Sequence, residues 1–200
     1  MGKPAGTRRK IVESAMMLFA VDGFERTSLA DIAADAGVRG GSIYHFFGTK
    51  RELLEAVLET YLEALVPHVM APAFARSEDP IERAFAVLDD YRERVRSTAF
   101  RYRCPIGSLA LEVGGEYPAA RALIDRNFAA WRGAVRGQLE AARSRFRPGV
   151  DLDGLAGLFL TVMEGAVMQS VAEASAAPFD ASIAQLRTYV TVLLRKRQRT

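Results

Sequence analysis

Cysteine is almost absent from this chain of 200 residues, with Cys104 its only example. A lone thiol can form neither an internal disulfide nor a CxxC pair. That excludes a disulfide-stapled secreted fold, a zinc knuckle and a dithiol redox centre, and it fits a reducing cytoplasm. Histidine is scarce as well, limited to His45 and His68. HExxH, P-loop and GxSxG patterns are all missing, so no cofactor, metal ligand set or catalytic residue is expected, and the chain is not read as an enzyme. Strand-like alternation of useful length is missing too, which leaves an all-α fold. The opening MGKPAGTRRK has no apolar run behind its charges, so no secretory signal is expected. One window, 154–172, is long enough to span a bilayer, but Glu164 and Gln169 interrupt it. A central carboxylate costs about 3 kcal/mol on insertion scales, so this window reads as a helix buried in protein, with no membrane partner.

What is present is ample core-forming material: 50% of the residues are hydrophobic and 26% charged. The net charge of +3 is unevenly placed, because residues 1–51 hold eight Lys/Arg against five Asp/Glu and the remainder balances. A mild basic excess suits nucleic acid and many other partners alike, and all of it sits at the N-terminal end.

Helical spacing recurs with start and stop signals along most of the chain. A first helix is expected from Thr7 to Asp22, with Ile11, Ala15, Leu18 and Phe19 on one stripe and Gly23 as its left-handed stop. Ser28 caps a short second helix, with Asp31 completing a carboxylate capping box and Gly37 ending it. Val38, Ile43 and Phe47 space a third helix that Gly48 ends, and Thr49 with Glu52 opens a long fourth one that runs to Pro67. Further helices are expected from Asp79-Pro80, over 106–113 before Gly114-Gly115, from Pro118 to the breaker at 147–149, over 151–174, and from Asp180 to Lys196. Two short helices joined by a tight glycine-containing turn are the sequence form of helix-turn-helix. Cutting at this point gives an N-terminal domain over 1–48 and a larger helical domain over 49–200.

A helix that reads DNA must enter a major groove about 12 Å wide, which favours small residues, hydrogen-bonding side chains and flanking phosphate anchors. Residues 39–45, Arg-Gly-Gly-Ser-Ile-Tyr-His, have that composition. Gly40 and Gly41 would each cost roughly 1 kcal/mol inside an ordinary helix. Either a ligand approaches the backbone closely there or the pair extends the turn. Arg39 can pair bidentately with guanine, Ser42 can donate or accept, and Tyr44, His45 and Lys50 can reach phosphates.

The segment TSLADIAADAGVRGGSIYHFFGTKRELL, residues 27–54, resembles the DNA-binding signature of the TetR family of bacterial transcriptional regulators. The likeness rests on Thr27-Ser28, Ile32-Ala33, Ala36-Gly37-Val38, Gly41, Ile43-Tyr44, His45, Phe47, Lys50 and Leu53. It implies a homodimer with an N-terminal three-helix DNA-binding domain and a helical C-terminal domain for dimerisation and small-molecule binding, most often a repressor released from a palindromic operator. By position, Arg39, Gly40, Ser42 and Tyr44 would face bases, with Gly41 beside them. Thr27, Ser28, Tyr44, His45 and Lys50 would face phosphates. Many members carry Ser or Thr in place of Arg39 and Lys in place of Gly40, so a relative's operator does not transfer.

The last two helices are apolar over much of their circumference, which calls for a covering partner. The expected dimer interface comprises Leu155, Phe159, Val162, Met163, Ala166, Ile183, Leu186, Tyr189, Val190 and Leu193. For the inducer, the candidate lining is Phe85, Leu88, Tyr91, Phe100, Tyr102, Cys104, Phe128, Trp131, Met163 and Val167, an apolar and aromatic set that also reads as plain core. The stretch from Arg103 to Glu112 resembles the GCxxGNLxxE segment of a branch that includes regulators responsive to electrophiles or oxidants. Cys104 is then either a sensor thiol, activated by Arg101, Arg103 and the following helix start, or a small buried hydrophobe. A constitutive DNA-binding dimer without an inducer is the alternative to a ligand-responsive regulator.

Overall fold

The computed structural model describes residues 3–113 and 117–195, with side chains from residue 6 onward. Among these residues the chain is helical without a strand, apart from a single bridge between Phe146 and Leu194. Ten α-helices follow one another: α1 (Lys3–Asp22), α2 (Leu29–Asp35), α3 (Gly40–Phe46), α4 (Lys50–Ala64), α5 (Ala71–Phe74), α6 (Pro80–Ser97), α7 (Pro105–Val113), α8 (Pro118–Ala141), α9 (Leu152–Glu173) and α10 (Ala177–Leu193). Contacts gather the chain into two compact units, residues 1–63 with 104–127 and residues 64–103 with 128–200. This grouping differs from a cut at residue 48, because α4 up to Glu63, α7 and the start of α8 join the N-terminal helices.

The first unit closes over Ile11, Ala15 and Phe19 of α1, Ile32 of α2, Ile43 of α3, Leu53, Leu54, Val57 and Leu58 of α4, and Leu109 of α7. Local signals place its helices. Ser28 and Asp31 form the expected capping box at α2. α2 then ends as a Schellman turn, Val38 N–H donating to Ala33 O and Gly37 N–H to Ala34 O, with Gly37 left-handed at φ +64°. At α4, Thr49 Oγ1 accepts from Glu52 N–H as the sequence predicts, while the Glu52 carboxylate accepts from Gly48 N–H, one residue earlier than in the usual box. Buried Asn127 donates both to Leu58 O of α4 and to Leu123 O of its own helix.

In the second unit α6, α9 and α10 pack together, with Phe85 against Phe159 at 4.9 Å and the Arg187 guanidinium over Phe85 at 4.0 Å. Pro67 does not end the fourth helix as expected. The trace widens into a π-type turn over Leu65–Met70, with Ala71 N–H donating to Val66 O, and continues into α5. A wider turn makes room for the ring and its missing N–H. α10 starts at Ala177 rather than Asp180, since Pro178 is tolerated in a first turn and Ser175 Oγ accepts from Ala177 N–H. The same helix ends at Leu193, short of the expected Lys196, because Leu194 turns extended and pairs with Phe146; the Gly114-Gly115 stop of α7 lies outside the described residues. α9 is long and apolar enough to cross a membrane, but Leu155, Phe159, Met163 and Val167 on it belong to the protein core.

Asp79 opens α6: its carboxylate accepts from Ile81 N–H at 2.8 Å and from the Arg145 guanidinium at 2.7 Å. The hydrogen bond from Arg145 holds its pKa below the ordinary carboxylate value. A depressed folded-state pKa contributes stability above the unfolded value, which is lost as pH falls through the folded one. Asp79→Ala is therefore expected to lower stability to urea by about 1 kcal/mol at neutral pH. The gap from the parent protein should begin to narrow as pH drops below about 4 and go on shrinking as pH falls through the lower folded-state value.

Candidate nucleic-acid interface

A seven-residue helix is not stable alone in water, so α3 depends on what it buries. Ile43 is fully enclosed and Phe47, just past its end, nearly so. That fixes which residues point outward: Arg39, Gly40, Gly41, Tyr44 and His45 are exposed, Tyr44 to 64%, and Ser42 is half-buried. Arg39 occupies the N-cap position without a side-chain capping bond, so its guanidinium is not committed to holding the helix. Neither glycine adopts the left-handed region, and a Cβ added at Gly40 or Gly41 would meet nothing within 4 Å. No close packing inside the chain therefore requires these two glycines.

Beside α3, an open groove is lined by Glu25, Arg26, Thr27, Ser28, Leu29, Ala30, Tyr44 and Lys50. It brings together most of the residues expected at phosphates, although not all as free donors. Thr27 is only 3% exposed, and its hydroxyl donates inward to Gly23 O at 2.7 Å, so its side chain fastens the α1–α2 turn. This corrects its expected place at a phosphate: a proton spent on a buried carbonyl is unavailable outside. Ser28 is exposed, but its N–H and hydroxyl both donate to the Asp31 carboxylate within the capping box. Those bonds draw the Asp31 pKa below its ordinary value. His45 stands at the outer surface with its ring 5.0 Å from Phe46.

Lys50 is half-buried. Its ammonium lies 4.2 Å from the Phe24 ring centroid and donates to Glu25 O at 3.3 Å. Burial draws its pKa below the ordinary lysine value, while the carboxylates of Glu25 and Glu112 pull it back up. Arg26, on the same groove, passed unnoticed in the sequence because it lies outside the glycine-marked helix. Its Nε donates to Asp22 O, leaving the rest of the guanidinium at an exposed position.

Elsewhere the structure separates residues that periodicity had put together. Leu155, Phe159, Met163, Ala166, Ile183, Leu186 and Val190, expected at a dimer interface, are buried within the single chain. Val162 and Leu193 are half-buried and Tyr189 is exposed, and the accessible apolar positions on α9 and α10 also include Leu158, Met168 and Val192. On helices apolar nearly all round, spacing does not distinguish the stripe facing the protein's own core from one facing a partner.

Of the expected inducer lining, Phe85, Leu88, Tyr91, Trp131, Met163 and Val167 are buried in the second unit, and Phe100, Tyr102 and Phe128 are half-buried there. Tyr91 stands 6.2 Å from Tyr102. Among the described residues, the buried side-chain polar atoms of this unit without a hydrogen-bond partner include Arg92 Nε, Trp131 Nε1 and Ser170 Oγ. Cys104 groups with the first unit and is 7% exposed, which fits a small buried hydrophobe better than an accessible thiol. Nearby, the Tyr61 hydroxyl is pushed up to about 12, by burial first and by Cys104 second.

Comparison with known proteins agrees with this geometry. The family of bacterial regulatory proteins named for TetR matches residues 11–57, and the LmrA/YxaF-like transcriptional regulator C-terminal domain matches residues 80–185. An uncharacterized HTH-type transcriptional regulator of Mycobacterium tuberculosis is 30% identical, with 97% of this chain and 99% of that protein aligned. The uncharacterized HTH-type regulator YxaF of Bacillus subtilis is 26% identical, covering 96% of each chain. The crystal structure of a TetR transcriptional regulator from Chloroflexus aurantiacus superposes with a TM-score of 0.83 at 31% identity, covering 98% of this chain and 99% of that one. With a helix-turn-helix present and both halves matched, the chain belongs to the TetR family and is a DNA-binding transcriptional regulator, not an enzyme.

Proposed function

We propose that this protein is a cytoplasmic repressor that occupies a palindromic operator as a homodimer and leaves it when a small molecule binds the C-terminal helical domain. The observation that carries the reading is the outward face of α3, where two glycines with open space around them lie between Arg39 and Tyr44. A backbone without Cβ atoms lets the helix approach base edges closely, and its flanking side chains can then pair with bases and phosphates. Arg39, Gly40, Gly41, Ser42 and Tyr44 take the base-facing role. Tyr44, His45 and Lys50 take the phosphate-facing role, with Ser28 orienting α2 beside them. A dimer occupying such a site obstructs transcription by its presence.

The partner copy is assigned to the outer stripe of α9 and α10, around Leu158, Val162, Met168, Tyr189, Val192 and Leu193. Exposed apolar side chains on two adjacent helices are the surface a second pair of helices would cover. Responsiveness to a ligand draws support from Trp131 and Ser170. A buried donor without a partner costs roughly 1–3 kcal/mol, and an apolar ligand carrying an acceptor would relieve that cost. Electrophile sensing through Cys104 receives no comparable support from its burial.

Gel-shift titrations over a series of salt concentrations test the DNA face. Tyr44→Ala and Lys50→Ala are expected to weaken binding to every duplex, and Lys50→Ala, which removes a cation, should also lower the slope of log affinity against log salt by about 1. Arg39→Ala should instead relax base preference, at a cost of about 1–3 kcal/mol on the preferred sequence. Gly41→Ala separates folding from binding. It is expected to raise thermal stability by the equivalent of about 0.5–1 kcal/mol, because a helical glycine becomes alanine in open space. Its DNA affinity should nevertheless fall. For the sensor half, apolar compounds bearing a hydrogen-bond acceptor can be screened by thermal shift. Trp131→Phe should shrink the stabilisation given by any hit that uses the indole N–H.

A further inference from the structure

Glu112 lies on α7, far in sequence from the DNA-reading helices, yet its carboxylate holds the turn between α1 and α2. Phe24 N–H donates to Oε2 at 2.6 Å and Glu25 N–H donates to the same oxygen at 3.3 Å. The backbone there is shaped for this contact: Gly23 has φ +88°, and a Cβ added to it would stand 2.8 Å from Glu112 Oε1. The turn so held supports Lys50, since the Phe24 ring lies under the ammonium and the Glu25 carbonyl accepts from it. Tyr117 meets the edge of Phe24 with centroids 5.7 Å apart and carries the Arg51 guanidinium at 4.6 Å from its own ring. Residues from three separate stretches of the first unit thus converge on one turn.

Two features make Glu112 more than a local staple. Hydrogen bonds from backbone N–H to an ionised carboxylate are roughly twice as strong as neutral ones, and here they lock the one segment that touches Lys50 from below. The charge also acts through space: burial disfavours the Lys50 ammonium, and the Glu112 carboxylate is one of two that offset this.

We propose that Glu112 is a positioning residue for DNA binding that acts through Lys50: by fixing the 23–25 turn it sets where the Lys50 ammonium stands when a phosphate arrives. The inference rests on the assignment of Lys50 as a phosphate anchor, and the test separates the two. Full-length parent protein, Lys50→Ala, Glu112→Gln and the double variant are titrated with a fluorescein-labelled mixed-sequence duplex at several potassium chloride concentrations. Lys50→Ala is expected to weaken binding and flatten its salt dependence. Glu112→Gln, which keeps an acceptor oxygen and removes the charge, should weaken binding about three- to tenfold when Lys50 is present and leave it unchanged when Lys50 is already gone.

An equal loss in both backgrounds would make Glu112 a general stabiliser of the turn and overturn the proposal, as would no loss in either. If Lys50→Ala itself changes neither affinity nor salt slope, the anchor assignment falls and takes the proposal with it. Carbon-13 titration of the Lys50 side chain supplies a readout that a purely structural role would leave still: the ammonium is expected to deprotonate at lower pH in Glu112→Gln, and an unmoved midpoint counts against the proposal. Should Glu112→Gln fold poorly, Glu112→Asp is compared with Glu112→Ala. The aspartate keeps the charge and should retain more affinity, and equal loss in the two overturns the idea.

Discussion

Burial of Ile43 and Phe47 is the constraint on which the outward face of α3 depends. Seven residues with two glycines among them have no intrinsic reason to be helical in water. The helix exists because one side of it completes a core that α1, α2 and α4 have already framed. Once that side is fixed, the geometry of a 3.6-residue repeat assigns every other side chain its direction. Tyr44, adjacent to the fully buried Ile43, is turned out, and Arg39 lies just ahead of the first turn with no capping duty.

Around this helix, the first unit divides its polar groups between those that fasten its turns and those left at the surface. Thr27, Ser28, Asp31 and Glu52 spend their hydrogen bonds on turns and helix starts. Those bonds hold the backbone at the place where α2, α3 and α4 follow one another in quick succession. Arg39, Tyr44 and His45 remain exposed at the surface. Lys50 belongs to both groups, because its ammonium is held by an aromatic face and a carbonyl while standing on the groove beside Tyr44. A cation kept partly desolvated meets a phosphate with less solvent to displace than a fully hydrated one.

The second unit follows a different logic. Its helices carry more apolar surface than one chain encloses, and the surplus appears as exposed Met168, Tyr189 and Val192 on α9 and α10. Inside, aromatic packing is dense, with Phe85 set between Phe159 and the Arg187 guanidinium, which is itself bonded to Glu82. Within this greasy interior the indole N–H of Trp131 and the hydroxyl of Ser170 are buried polar groups without a partner among the described residues. For a family whose members are regulators, a unit built on a helix-turn-helix and a second unit with a polar-dotted apolar core form a coherent division of labour.

What the sequence alone determined was whatever local chemistry dictates. Helix starts at Ser28, Asp79 and Asp151, the left-handed stops at Gly23 and Gly37, and the outward set on α3 were legible because capping and helical period act over a few residues. Tertiary structure decided the rest. Thr27 and Lys50 both read in the sequence as outward polar groups, and only the fold shows that one hydroxyl turns inward while the ammonium rests on Phe24. The core and partner stripes of α9 and α10 became distinct only once neighbouring helices had covered one of them. Glu112 stood in the sequence only as the last residue of the GCxxGNLxxE-like stretch, and its service to a turn 88 residues away was not legible there, because chain packing rather than any short-range pattern positions that carboxylate.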